Sequence, residues 1–392
     1  MIAPARRAAV DAMRQIDDGT LDMGAAIARV RATLSDDRDG ALLLELVTGT
    51  SRMRAAIDHQ LAMRVKRPLA RLDAAVLGIL RVSAFQLIYM SRLPASAVIN
   101  DAVELTRRAG KSSAAGLSNA VLRAVARDRD RLEWPSRASL VEYLAVVQSH
   151  PQWLVERWLA RYGAEQAESW LTFNNQPAVM CLAVNRRLLT REALAEELAA
   201  DGVTTRPTAR AVHGLEVIDG RALGTRAFTE GRFVVQDEAS QLIGELAASV
   251  GGKTLLDLCA SPGGKTLAIS AAKGFVIASD VRAPRVRLLK KTLDRCRVTN
   301  ARVIHVAADG PLPFQENIFD VVLIDAPCSG LGTVRRDPDI KWRRTPEDLP
   351  RFAASQRELI ERAAGLVRRG GALIYSTCSS EPEENEEVVA SF

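Results

Sequence analysis

Two cysteines stand out because each lies shortly after a short apolar run. Cys328 follows the run 319–324, and Cys378 follows the run 372–375. Apolar runs of this length, bounded by Gly, Pro and Asp, are typical of buried parallel strands. Ligands of open α/β sheets sit at the carboxyl ends of the strands, where both cysteines fall. A free cysteine is more often a small buried packing residue, but this position favours two thiols with covalent chemistry.

A glycine-containing loop follows an earlier strand-like run, 254–258. Its glycines, Gly263 and Gly264, let backbone N–H groups approach a ligand closely. The end of the loop, Gly264-Lys265-Thr266, imitates a phosphate-binding P-loop, but that pattern requires glycine at the position of Cys259. No G-x-G-x-x-G dinucleotide pattern is present either. The loop is therefore suited to a zwitterionic nucleoside such as S-adenosylmethionine.

Acidic residues follow the next two predicted strands. Asp280 is placed to accept hydrogen bonds from ribose hydroxyls, and Asp309 could hold an adenine amino group. Each could instead cap a helix, but three successive strand ends with such residues are more specific than one. The predicted cofactor-binding set comprises Leu258, Cys259, Ala260, Ser261, Pro262, Gly263, Gly264, Lys265, Asp280, Arg285, Asp309 and Asp325. Packing is the simpler role for Cys181 and Cys296, and Cys259 has no chemical role assigned to it.

The elements that position these residues alternate in type along the chain. Residues 1–135 show apolar spacings of three and four, which predicts helices through 72–89, 97–108 and 115–127. Residues 145–230 predict a small α/β module, with a helix over 151–174, strands near 180–184 and 215–218, and a helix capped by Thr190. Residues 232–392 predict a doubly wound parallel sheet with strands 254–258, 275–279, 303–306, 319–324 and 372–376. The helix before the last strand is predicted to start at Thr345-Pro346-Glu347 and to stop at Gly370-Gly371.

Bulk properties exclude several classes of protein. A composition of 47% hydrophobic and 26% charged residues in 392 is ordinary for a soluble protein of two or three domains. No apolar run approaches the roughly 20 residues that a membrane helix needs, and the N-terminus lacks a signal-peptide core, so we expect a cytoplasmic protein away from membranes. The five cysteines form no C-x-x-C pair, and the four histidines lack metal-ligand spacing. A disulfide framework and a metal site are therefore not expected.

The basic excess lies in the N-terminal third. Residues 1–135 carry 21 Lys and Arg against 15 Asp and Glu, whereas residues 136–392 balance at 32 each, so this third holds the whole net charge of +6. One stretch has six basic residues and a single acidic one, Asp58, which predicts an electrostatic footprint for phosphates. An ordinary solvated helix face is the alternative. The six are Arg52, Arg54, Arg64, Lys66, Arg67 and Arg71.

Two sets of motifs resemble known families. Leu72 to Val82, Phe85 to Leu87, Pro94, Asn100 to Leu105 and Asn119 to Arg123 resemble the NusB-like RNA-binding fold. The strings Leu-Asp-Leu-Cys-Ala-Ser-Pro-Gly-Gly-Lys-Thr (256–266), Asp-Ala-Pro-Cys-Ser-Gly-Leu-Gly-Thr (325–333) and Tyr-Ser-Thr-Cys-Ser (375–379), with Glu383 to Glu386, resemble the RNA cytosine-5 methyltransferases. Together they resemble the bacterial RsmB (Sun or Fmu) branch, which modifies 16S rRNA. The second cysteine favours RNA, since DNA cytosine methyltransferases use a Pro-Cys motif alone.

The resemblance implies a fold and roles for four residues. It implies a NusB-like all-α bundle, a small α/β module and a Rossmann-like methyltransferase domain that uses S-adenosyl-L-methionine. Cys378 would add to carbon 6 of cytosine, and Cys328 would help remove the carbon 5 proton and release the product. Asp325 would hydrogen-bond the polar edge of the base, as a carboxylate or in its protonated form, and Lys265 would orient Asp325. We expect a monomer that acts on an unstacked cytosine of 16S rRNA.

Two alternatives and one departure from the family pattern remain. The same reaction on tRNA is one alternative, and a non-catalytic RNA-binding assembly factor is the other. The sequence ends at Phe392, shortly after the second cysteine motif, whereas a sheet of this type normally continues through another helix and an antiparallel hairpin. We therefore expect a truncated sequence in which strand 372–376 lies at an exposed edge.

Overall fold

Residues 2–272 and 274–392 are described by a computed structural model of the chain. The chain divides into two compact units. Unit 1 comprises Met1–Pro177 and Thr333–Pro346, and unit 2 comprises Ala178–Gly332 and Glu347–Phe392. Residues 145–177, the first part of the predicted middle module, thus lie in unit 1. Among the described residues, no helix combines the length and apolarity that crossing a membrane requires.

Unit 1 is built from helices packed around a continuous apolar core. Its centre contains side chains with no exposed surface, among them Leu43, Leu80 and Leu122. The predicted helices of this region are present, and α9 is interrupted at Gly163, whose φ is +75°. The helices are α1 (Pro4–Asp17), α2 (Met23–Arg31), α3 (Asp37–Arg52), α4 (Arg54–Ala62), α5 (Ala74–Tyr89), α6 (Ala95–Arg108), α7 (Ala115–Asp128), α8 (Leu140–Val147), α9 (Gln152–Asn174) and α15 (Ile340–Arg343).

The basic stretch of unit 1 does not form one surface. Three of its six cationic side chains make contacts inside the unit: Arg52 donates to the carbonyl oxygen of Arg335 (3.1 Å), Arg54 to Asp17 (2.9 Å) and Arg64 to Asp128 (3.2 Å). Burial lowers the pKa of Arg52 and of Arg54 below the ordinary value for arginine. The other three, Lys66, Arg67 and Arg71, are exposed. The predicted phosphate footprint is therefore reduced to these three residues.

Unit 2 begins with a small antiparallel sheet. Its strands are β1 (Cys181–Val184), β2 (Thr204–Pro207), β3 (Gly214–Asp219) and β4 (Phe233–Val235), in the order β2-β3-β1-β4. Helices α10 (Arg191–Ala200) and α11 (Arg226–Thr229) complete this part. The hydroxyl of Thr190 accepts a hydrogen bond from the backbone N–H of Ala193, which is the predicted cap. The short strands β2 and β4 were not predicted.

The rest of unit 2 is a five-stranded, fully parallel sheet with the order β7-β6-β5-β8-β9. A strand lies at each of the five predicted positions, although β9 begins at Val367 and not at residue 372, and β7 includes Arg302 and His305. The elements are α12 (Glu238–Val250), β5 (Thr254–Asp257), α13 (Gly264–Ser270), β6 (Phe275–Asp280), α14 (Ala283–Arg295), β7 (Ala301–His305), β8 (Phe319–Asp325), α16 (Asp348–Ala364), β9 (Val367–Ser376) and α17 (Glu386–Ser391).

The predicted limits of the helix before β9 were wrong. Helix α16 ends at Ala364, and the pair Gly370-Gly371 lies inside β9, where the register with β8 shifts. Gly370 has a φ of +75°, and a Cβ at Gly371 would lie 2.7 Å from the carbonyl oxygen of Asp320. A bulge requires such backbone freedom. The glycine pair therefore marks a bulge that sets the register of β9 and not the end of a helix.

We expect Gly371→Ala to destabilise unit 2. Its methyl group would press on the Asp320 carbonyl in the neighbouring strand, and overpacking of this kind costs about 1–3 kcal/mol. Gly365→Ala is the control, since a Cβ there meets nothing within 4 Å and the backbone is α-helical. Urea denaturation of the two variants measures the difference. Equal midpoints would contradict the close approach of β8 and β9 at the bulge.

Candidate active site

The two cysteines lie at the carboxyl ends of neighbouring strands. β8 and β9 are parallel, and their last register pair is Asp325 with Ser376. Cys328 follows this pair by three residues and Cys378 by two, so the loops that carry them leave the sheet side by side. The two sulfur atoms are 3.1 Å apart. The strand register thus brings together thiols that are 50 residues apart in sequence.

The contact between the two sulfurs changes the acidity of Cys328. The hydrogen bond with Cys378 raises the pKa of Cys328 far above its ordinary value, and burial adds to this effect. Cys328 is therefore held as a neutral thiol, whose hydrogen can be donated to the other sulfur. Cys378 is the more exposed of the two. Of the two sulfurs, that of Cys378 is therefore the more accessible to a ligand.

Asp325 connects the cysteine pair to the glycine-containing loop. Its Oδ2 atom lies 2.7 Å from Nζ of Lys265, whose side chain is 10% exposed, and its Oδ1 atom accepts a hydrogen bond from the hydroxyl of Ser376. Asp325 itself remains about one third exposed. Two neighbours on opposite sides thus orient a carboxylate that is still open to a ligand.

The predicted cofactor residues fall into two groups. Residues 258–263 join β5 to α13, Gly264 and Lys265 begin α13, and Asp280 ends the neighbouring strand β6. Arg285 links these two elements: its Nε lies 3.5 Å from Asp280, and its guanidinium donates to the carbonyl oxygen of Ser261 (2.9 Å). Asp309 lies instead in an exposed loop after β7. The structure therefore gathers the loop, Asp280, Arg285 and Asp325, with Asp309 further along the same edge.

A buried carboxylate below this loop was missed by the sequence analysis. Asp257 has no exposed surface; its Oδ2 accepts a hydrogen bond from Thr266, and its Oδ1 has no partner in the part of the chain that the structure describes. Burial raises the pKa of Asp257 to about 7. Burial and the surrounding carboxylates also raise the pKa of Cys259, to about 12. Cys259 is therefore an inert thiol, although it lies beside the loop.

A second missed carboxylate, Glu384, lies beneath both cysteine loops. It is fully buried and accepts hydrogen bonds from Ser329 and Ser379, the residues that follow the two cysteines. Glu384 belongs to the motif 383–386 quoted above, but no role was predicted for it, because a run of acidic residues is typical of a solvated surface. Within residues 2–272 and 274–392, no group of three His, Cys, Asp or Glu side chains is arranged to hold a metal ion.

Three family models match successive parts of the chain. The NusB family matches residues 3–127, the RsmF/B-like ferredoxin-like domain matches residues 150–222, and the 16S rRNA methyltransferase RsmB/F family matches residues 246–392. These matches confirm the expected NusB-like bundle and methyltransferase sheet. They also identify the middle module as ferredoxin-like.

Curated relatives cover nearly the whole chain. The probable ribosomal RNA small subunit methyltransferase B of Bacillus subtilis is 34% identical over 93% of this chain and 82% of its own length. The ribosomal RNA small subunit methyltransferase B of Serratia proteamaculans is 34% identical over 99% of this chain and 89% of its own. Among solved structures, PH0851 covers 100% of this chain and 89% of its own, with a TM-score of 0.85 and 25% identity.

We expect Cys378→Ala to make Cys328 easier to ionise. The variant removes the hydrogen bond that is the largest cause of the raised pKa of Cys328, while burial continues to raise it. Alkylation of Cys328 by iodoacetamide, followed by mass spectrometry across a pH series, should therefore begin at lower pH than in the unsubstituted protein. Ser380→Ala, in the same loop, serves as the control. An unchanged alkylation profile would contradict the coupling of the two thiols.

Proposed function

Because the chain belongs to the ribosomal RNA small subunit methyltransferase B family, we propose that it methylates carbon 5 of a cytosine in 16S rRNA through a covalent cysteine–cytosine intermediate. The observation that carries this proposal is the 3.1 Å contact between the sulfurs of Cys328 and Cys378, beside the Asp325–Lys265 ion pair. A nucleophilic thiol, a second thiol and an oriented carboxylate are the groups that this reaction requires.

The loop after β5 fits S-adenosyl-L-methionine, the cofactor of this reaction. Asp257 and Asp280 are buried beside the loop, and Asp325 lies close enough to raise the pKa of Asp257 by its charge. Such an acidic environment suits a ligand that carries an ammonium and a sulfonium group. Asp280 and the backbone of residues 258–264 would hold the nucleoside and the amino-acid part. When bound, S-adenosyl-L-methionine supplies an electrophilic methyl group.

Cys378 makes carbon 5 reactive. Carbon 5 of cytosine is a poor nucleophile because its electrons belong to the ring. When the thiolate of Cys378 forms a bond to carbon 6, electron density moves to carbon 5, which becomes an enamine-like nucleophile. After carbon 5 has gained its methyl group, loss of its proton breaks the bond between carbon 6 and sulfur. The electron pair of that bond returns to Cys378, and the product is released.

Cys328 acts at the second stage of this sequence. In the free protein it stays a thiol because its hydrogen bond to Cys378 raises its pKa. Once Cys378 is bound to carbon 6 as a neutral thioether, that interaction is weakened and Cys328 ionises more easily. It then helps to remove the carbon 5 proton. The same contact thus keeps Cys328 protonated during attack and releases it for use as a base.

Asp325 selects the base, and Lys265 holds Asp325 in place. As a carboxylate, Asp325 can accept a hydrogen bond from the exocyclic amine of cytosine, which uracil lacks. The open side of its carboxylate is the side that neither Lys265 nor Ser376 occupies. A base can reach this position only when it is unstacked, so the target cytosine lies in a loop or in transiently open rRNA.

We expect Cys328→Ala protein to accumulate a covalent adduct with unmodified 16S rRNA in the presence of S-adenosyl-L-methionine. The variant can form the bond between Cys378 and carbon 6 but is impaired in breaking it. Denaturing gel electrophoresis with labelled RNA detects the adduct, and Cys328→Ala/Cys378→Ala is the matched control.

The outcomes of this experiment are distinct. An adduct that requires Cys378 supports the proposal, whereas an adduct that persists in the double variant contradicts the assigned nucleophile. If an adduct forms with unmodified tRNA but not with 16S rRNA, the proposed substrate is wrong, whereas the covalent mechanism is still supported. No adduct with either RNA would reject the covalent mechanism.

A further inference from the structure

The ladder between β8 and β9 ends before either cysteine is reached. The last register pair joins Asp325 to Ser376, and Cys328 and Cys378 lie on the loops beyond it. Loops that leave a sheet can diverge, because the regular ladder of hydrogen bonds no longer holds them together. The contact between the two sulfurs therefore depends on interactions outside the sheet.

The two loops are joined by a backbone hydrogen bond, from the N–H of Gly332 to the carbonyl oxygen of Cys378 (2.9 Å), and by one buried carboxylate. Oε1 of Glu384 accepts a hydrogen bond from the backbone N–H of Ser329 (2.8 Å), and its Oε2 accepts from the hydroxyls of Ser329 and Ser379. The two serines directly follow the two cysteines, and their hydroxyl oxygens are 3.1 Å apart. Glu384 itself has no exposed surface. One buried side chain thus holds the residue after each cysteine.

Neighbouring residues reinforce both sides of this contact. Gln356 of α16 donates one hydrogen bond to Oε1 of Glu384 (3.0 Å) and one to the carbonyl oxygen of Pro327 (2.9 Å), the residue before Cys328. Asn385 accepts from the hydroxyl of Thr377 (2.6 Å) and donates to the carbonyl oxygen of Ser379 (3.1 Å). Each cysteine is therefore held through the residues on both of its sides.

We propose that Glu384 is a positioning residue that keeps the sulfurs of Cys328 and Cys378 in contact by binding both of their loops. The effect of Glu384 on catalysis rests on the proposed function. The distance between the two sulfurs can be tested on the protein without RNA or cofactor. Glu384 holds the two loops through its hydrogen bonds to Ser329 and Ser379. Four donors converge on its carboxylate, which satisfies its acceptor capacity without a bound ligand.

The hydrogen-bond donors around Glu384 predict different effects for its replacement by alanine and by glutamine. Glu384→Ala removes the link and leaves the buried donors without a common acceptor. Glu384→Gln can keep the link: its carbonyl oxygen can accept the two N–H donors, and its amide can donate to the two serine hydroxyls, which can also accept. A misplacement of about 1 Å can cost 10²-fold in rate. We therefore expect kcat to fall about 100-fold in Glu384→Ala and to be largely recovered in Glu384→Gln, with KM nearly unchanged in both.

Binding of phenylarsine oxide tests whether the sulfurs of Cys328 and Cys378 are close together, and it requires neither RNA nor cofactor. Its arsenic atom binds two thiols at once with release of water, so tight binding requires that the sulfurs stay close together. We expect its affinity to fall about tenfold or more in Glu384→Ala and to be retained in Glu384→Gln. Cys328→Ala, which lacks one thiol, sets the value for single-thiol binding. Glu387→Ala, at an exposed position of the same C-terminal segment, is the control for a general charge effect.

Each outcome decides the proposal. Loss of both kcat and dithiol affinity in Glu384→Ala, with both recovered in Glu384→Gln, supports it. Dithiol affinity that stays unchanged in Glu384→Ala overturns it, whatever happens to the rate. If Glu384→Ala does not fold, the combined variant Ser329→Ala/Ser379→Ala removes both hydroxyl donors, and unchanged dithiol affinity there has the same meaning. If the phenylarsine oxide affinities of the variants are as expected but no RNA adduct forms, the covalent methylation mechanism is rejected and the positioning role of Glu384 is retained.

Discussion

The parallel register of β8 and β9 is the constraint on which the candidate site depends. Because Asp325 lies opposite Ser376, the loops that follow them carry Cys328 and Cys378 to the same point. A shift of two residues would separate the cysteines by roughly 7 Å along the strand direction, too far for the sulfurs to touch. The bulge at Gly370-Gly371 is part of this constraint, since it brings the later part of β9 into register with β8. Two glycines far from the chemistry therefore help to set the distance between the thiols.

The close contact gives two identical functional groups different properties. Two thiols in contact cannot both ionise easily, because the first negative charge opposes the second. The pKa of the half-buried Cys328 is raised by its hydrogen bond to Cys378 and by burial, whereas Cys378 is exposed. Burial has the same effect on Cys259, which no second thiol contacts in the described structure and which stays inert. Surroundings, and not residue type, thus give these three thiols different properties.

The sequence predicted the parts of the molecule that depend on local pattern. The five strands of the large sheet were found because each contains a short apolar segment, and the cysteines were found because they follow two of those segments. What failed depended on contacts between distant segments. Gly370-Gly371 looked like a helix end because the partner strand that requires a bulge is 50 residues away. Asp257 lies within an apolar run, and Glu384 lies within an acidic one, so neither sequence pattern indicates a buried carboxylate.

Charge counting failed in unit 1 for the same reason. The sequence shows how many cations a segment holds but not which of them already have partners. Arg54 binds Asp17, and Arg81 binds Asp58, the acid that the sequence analysis counted against the basic stretch. Lys341 is fully buried, donates to the carbonyl oxygen of Arg52 (3.0 Å), and has a pKa well below that of an ordinary lysine because of its burial. Attraction of phosphates at short range depends on exposed charge. The exposed cations of this stretch are therefore Lys66, Arg67 and Arg71.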